Sequence, residues 1–116
     1  MSWGTLAKGI LAGTVTPERT FDEHDVRAHA PWWVSSDHRP HYASMEALRP
    51  LLESSGHSAL ELALGFVLRR SEVSTALCGA RTTTQLESLV KSLDRMPAED
   101  LFTEAELRVT EAFAAF

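Results

Sequence analysis

One helix-to-strand passage restricts this chain more than any other part of it. Ser58 is a good N-cap, and Glu61 three residues later completes a capping box. The helix predicted over residues 59–70 is apolar on most faces, through Leu60, Leu62, Ala63, Leu64, Phe66, Val67 and Leu68. Such a helix wants cover all round. Arg69 and Arg70 suit the negative end of its dipole. A short strand over residues 73–78 follows, punctuated by Gly79. A strand meets its hydrogen-bonding needs through neighbours, and a buried unpaired edge is costly. The nearest candidate for a second strand is a residual one in residues 1–6. The chain therefore has three ways to satisfy residues 59–78. It self-associates, it docks on another protein, or the segment refolds.

The other elements read as helices of ordinary length. Thr82 with Gln85 forms a second capping box, followed by the stripe Leu86, Leu89, Val90 and Leu93 over a helix at 83–94. Pro97 stops it. Thr103 with Glu106 reads as a third box, ahead of Val109, Ala112, Phe113 and Phe116 at helical spacing. Upstream, Pro40 suits a first helical turn, and Met45, Leu48 and Leu52 share one face. Pro50 interrupts that face. An interior proline costs about 3 kcal/mol, so a kink or break is expected near Leu48 and Arg49. Residues 21–39 are polar, contain Trp32 and Trp33, and read as a long loop. Residues 1–20 hold Gly4, Gly9 and Gly13, and periodicity does not choose between strand and helix there. The expectation is one domain over residues 1–116. Its class is α+β and mostly helical, with about four helices and one or two short strands.

Charge and cysteine content narrow the function classes. The net charge is -5 and the eleven Lys and Arg are scattered, which argues against nucleic acid or an anionic membrane as partner. The single cysteine, Cys78, permits no internal disulfide. No run approaches the ~20 apolar residues of a membrane span. The first residues lack a charged region followed by an apolar core, so the expected location is the cytoplasm.

The order of motifs resembles the C-terminal portion of the aldo-keto reductases, nicotinamide-dependent (β/α)8 barrels. Leu6, Ala7, Lys8, Gly9, Ile10, Leu11, Ala12 and Gly13 are similar to the family's Pro-Leu-Ala-x-Gly-Leu-Leu-x-Gly segment after the seventh strand. Thr5 stands for the usual proline, and Gly4 stands where a cofactor-contacting serine is common. Residues 20–27 resemble the following loop, where an Asp and an Arg recur, and residues 40–54 the penultimate large helix. Cys78, Gly79, Ala80 and Arg81 resemble the Pro-Gly-Ala-Arg loop that wraps the 2′-phosphate of NADP. The resemblance implies Gly79, Arg81 and Gln85 as cofactor-binding residues. Gly79 would permit a tight turn, and Arg81 would fork a phosphate at a helix start. Ser88 and Leu89 replace the family's adenine-contacting Glu-Asn. The family's catalytic Tyr, His, Asp and Lys have no counterpart, since Tyr42 falls in a different helix. A barrel of this kind needs roughly 250 residues, so 116 correspond to a fragment of one.

Outside that resemblance, the densest titratable set is Asp25, His38, His41 and Tyr42, with His24, His29 and Asp37 nearby. Histidine is well placed to move protons near neutrality, while solvated loop histidines are the plainer reading. No zinc-type spacing occurs, so no metal is expected. Trp32 and Trp33 suit either a wall for a flat small molecule or packing beneath the loop. Cys78 reads as a small buried hydrophobe. Two functions from different classes remain open. The first is a non-catalytic binding or assembly subunit, a homo-oligomer or a companion of a larger protein. It requires no cofactor and carries at most a weak residual NADP-phosphate site. The second is a repurposed small enzyme (isomerase, cyclase or lyase) using residues 24–42. A bare remnant of a longer gene is the third outcome.

Overall fold

The computed structural model describes residues 1–116 and is mostly helical. In chain order it contains a 3-10 turn at Ala7–Gly9, a second at Val26–Ala28, then α1 (Pro31–Val34), α2 (Arg39–Ser55), α3 (Ala59–Leu68), α4 (Thr83–Leu93) and α5 (Glu99–Ala114). The principal pairings set α2 against α5 and α3 against α4.

Residues 73–78 do not form a strand. Their only pairing is a parallel bridge between Ser2 and Ala76. Ser2 N–H donates to the Thr75 carbonyl at 2.7 Å, and Leu77 N–H donates to the Ser2 carbonyl at 3.0 Å. With a single residue, Ser2, as partner, a longer ladder has nothing to pair with. The residual strand expected in residues 1–6 does not form either, and Ser2 alone supplies a bridge partner there.

The capping box at Ser58 forms as read. Its hydroxyl accepts from Glu61 N–H at 3.1 Å, and the Glu61 carboxylate accepts from Ser58 N–H at 3.2 Å. The third box does not form. α5 begins four residues before Thr103, directly after Pro97 and Ala98, and Thr103 hydrogen-bonds back to the Glu99 carbonyl inside the helix. The break expected at Pro50 is also absent, since α2 runs through it for 17 residues. Burial of Leu48 and packing of Leu51 and Leu52 hold both sides of the proline to one core. The predicted loop 21–39 contains α1 and the Val26–Ala28 turn.

Two small cores support these elements. Ile10, Val15, Ala30 and Trp33 form one, with Phe21 and Tyr42 against it. Leu48, Leu62, Phe102 and Ala105 form the other, and Met45 touches both. Half of α3 is buried, from Glu61 to Gly65, while Phe66 stays exposed, so the cover its sequence called for on every face is incomplete.

Candidate functional site

Asp25 is the centre of the best-organised polar cluster. It caps the Val26–Ala28 turn, accepting from Arg27 N–H at 3.0 Å. The Arg27 side chain grips the same carboxylate twice, through Nε at 2.9 Å and Nη2 at 2.6 Å. Its remaining nitrogen, Nη1, donates to the Lys8 carbonyl at 2.6 Å. Arg81 Nη1 reaches Asp25 Oδ2 at 3.3 Å from the far end of the chain. The Asp25 side chain is 8% exposed and that of Arg81 75%. Hydrogen bonds from the Arg27 side chain and amide hold the Asp25 carboxyl well below the usual carboxylate range, against the opposing effect of burial. The result is a carboxylate that stays ionised well into acid and links Arg27 with Arg81, Lys8 being joined through Arg27.

Arg81 stands immediately before α4. Thr82 caps that helix by accepting from Gln85 N–H at 3.2 Å. The return half of the expected box lands one residue earlier, where Gln85 Oε1 accepts from Arg81 N–H at 2.7 Å. Gln85 therefore fixes the Arg81 backbone and leaves the guanidinium reaching outward. Gly79 departs from its expected role. Its backbone is not left-handed and a Cβ there would meet open space, so no tight turn depends on it.

Next to this cluster, Lys8 lies over two exposed indoles, Nζ being 4.9 Å from the Trp3 ring centre and 5.3 Å from that of Trp32. Ala7 and Lys8 both have positive φ, 46° and 58°, a strained pair for residues with side chains. The anchored Lys8 carbonyl helps to hold that shape. The tryptophan pair singled out in the sequence is split, with Trp33 buried beneath the loop and Trp32 outside. Trp3 is the partner that sequence reading missed, because it lies 29 positions away from Trp32.

The remaining candidates gather separately. His38 stacks on Trp33, with ring centres 4.1 Å apart, and its Nε2 lies 2.9 Å from the Trp33 carbonyl. The His38 ring is 6.4 Å from His41 and 6.2 Å from Tyr42, while His41 meets Phe113 edge-on at 5.3 Å. Asp25 makes its polar contacts with the two arginines instead of with these rings. An open concavity of about 860 Å3 lies between residues 10–18, α2 and the start of α3, and Tyr42 is the one candidate that lines it.

His57 also lines that concavity, and the sequence reading passed over it. Its Nδ1 is 2.8 Å from Glu61 Oε2, while Arg95 Nε donates to Glu61 Oε1 at 3.0 Å. Burial pushes the Glu61 carboxyl up, but hydrogen bonds from His57 and Ser58 and the Arg95 charge outweigh it and leave the group below its usual value. A histidine four residues before the capping-box glutamate was the available signal. No group of three metal-ligating side chains comes together, and no helix is long and apolar enough to cross a membrane.

Comparison with known proteins agrees with the order of these segments. The sequence model of the Aldo/keto reductase family matches residues 1–105. Aldo-keto reductase YhdN of Bacillus subtilis (strain 168) is 33% identical over 88 residues, which is 75% of this chain and 27% of that protein. The chain thus spans about a quarter of that relative's length. No solved structure matches.

Proposed function

Because the chain belongs to the aldo/keto reductase family, we propose that it is a binding and assembly segment built on part of that fold, carrying a phosphate-recognising half of an NADP site. The observation that supports this most directly is the placement of Arg81. Its backbone is pinned by Gln85 at the start of α4, and its largely exposed guanidinium is held by a single bond to Asp25. A planar, permanently charged fork beside a helix N-terminus suits a phosphate dianion. Asp25 competes for the same cation, so binding is weak and must displace it. Leu89 and Gly4, which stand where the family places further cofactor contacts, weaken the site again.

Within these residues nothing corresponds to the family's catalytic tetrad, so the segment binds without performing hydride transfer by itself. Its thin cores and exposed apolar side chains support the assembly part of the reading. Titration with adenosine 2′,5′-bisphosphate against adenosine 5′-monophosphate, followed by tryptophan fluorescence, tests the half-site. Preference for the bisphosphate that disappears in Arg81→Ala is the expected result. Equal binding of both nucleotides sinks the proposal.

A further inference from the structure

The concavity between residues 10–18, α2 and the start of α3, about 860 Å3, falls within the size range of small-molecule sites. Ile10 and Val15, both buried, and half-buried Met45 give it an apolar base, and Tyr42 adds an aromatic ring. The charges on its lining are unbalanced. Glu46 and Arg49 pair with each other along α2, and Arg49 is the only lysine or arginine in the lining. Glu18 and Glu53 also line it, both exposed, and neither makes an ion pair within the chain.

His57 completes the polar lining, and Glu61 fixes its role. Glu61 is ionised near neutrality, so in the 2.8 Å contact between His57 Nδ1 and Glu61 Oε2 the hydrogen sits on Nδ1. In the neutral ring Nε2 is then an acceptor, and the hydrogen bonds of His57 within the chain leave it without a partner. The start of α3 lies at the same rim and by itself attracts anions. The Glu61 carboxylate already serves it, accepting from Ser58 N–H at 3.2 Å.

We propose that this concavity binds a small organic cation, a protonated amine carried on an aromatic or aliphatic body. The body would lie against Ile10, Val15 and the Tyr42 ring, while the ammonium group donates toward Glu18, Glu53 and His57 Nε2. The Tyr42 ring face adds a further attraction for a cation. A carboxylate or phosphate on the same body would meet the two unpaired glutamates and be repelled. A metal ion finds no set of three ligating side chains. Both glutamates are exposed and therefore screened by solvent, so the binding is modest and its selectivity for charge is the sharper signature. The site shares no residue with the Arg81, Gln85 and Asp25 cluster.

Titration of the 116-residue chain with phenethylamine, hydrocinnamate and phenethyl alcohol, followed by amide and histidine-ring NMR spectra, tests the assignment. These probes share a phenyl body and differ in charge. The expected result is saturable binding of phenethylamine at about 0.1–5 mM, as suits so small a ligand, with hydrocinnamate at least tenfold weaker and the alcohol between them. The shifts should gather at Gly13, Val15, Gly56 and the His57 ring. Glu18→Gln combined with Glu53→Gln should weaken the amine at least fivefold and leave the rest of the spectrum in place, since neither side chain is buried or paired. Equal binding of amine and carboxylate, or no saturation by about 20 mM amine, overturns the cation site. Shifts scattered elsewhere, as general attraction to a net charge of -5 would produce, overturn its location. A double variant that binds the amine as tightly as the parent overturns the part given to the carboxylates, and an unmoved His57 ring overturns the part given to His57. None of these failures alters the bisphosphate titration, so loss of the amine site and loss of the nucleotide half-site are separately visible.

Discussion

Asp25 decides more of the local structure than any other single residue. Through Arg27 it fixes the Lys8 carbonyl, and through Arg81 it reaches the segment ahead of α4. A carboxyl whose folded value is depressed stabilises the fold above its unfolded value, ordinarily about 3.9, and loses that contribution as pH falls through the folded value. Asp37, held at about 2 by hydrogen bonds from Arg39, behaves in the same sense. Thermal stability of the chain should therefore be flat above about pH 5 and fall between about pH 4 and 2. In Asp25→Asn the plateau should be lower and the acid decline shallower. An identical decline in the variant would remove Asp25 from the account. The same substitution frees Arg81, so it should tighten the adenosine 2′,5′-bisphosphate titration; weaker binding would show that Asp25 positions Arg81 and does not compete for it.

At the scale of elements, α3 carries the tightest constraint. A Cβ at Gly65 would lie 2.7 Å from Phe102 Cζ, 3.1 Å from Pro97 Cδ and 3.2 Å from Met96 Sδ. Gly65→Ala should cost about 1–3 kcal/mol by overpacking, despite alanine's better helix propensity. Urea unfolding should show this as a lower midpoint at unchanged slope. A variant as stable as the parent would mean that Phe102 moves aside freely. What was legible in the sequence follows from how local each signal was. The Ser58 box and the burial of α3 depend on neighbours within one turn and on composition; the box forms, and the burial covers half of the helix. Thr103 and Glu106 have the spacing of a box, but a helix start is set by where the chain leaves Pro97. Pro50 reads as a breaker, yet burial of Leu48 and packing of Leu51 and Leu52 outweigh its local cost. The strand at residues 73–78 needed partners that sequence periodicity does not supply. Arg81 and Gln85 were legible from motif order and Asp25 from the density of titratable residues, and hydrogen bonds link all three. His57 and Trp3 were not, since each gains its meaning from a residue brought near by folding.

The whole molecule is two small cores joined at Met45, with apolar side chains left outside on α1, α4 and α5. The chain belongs to the aldo/keto reductase family and spans about a quarter of the relative it matches. The 116 residues alone should not oxidise NADPH with simple aldehydes, because no tyrosine–lysine–histidine–aspartate group is assembled to donate the proton. Sustained turnover that Arg81→Ala abolishes would contradict this. The most direct test of the central claim is calorimetric titration of the chain with NADP and with NAD. The account predicts weak binding of NADP, at least tenfold weaker binding of NAD, and loss of the difference in Arg81→Ala. Equal affinities for the two dinucleotides, or a preference for NADP that survives Arg81→Ala, would contradict it.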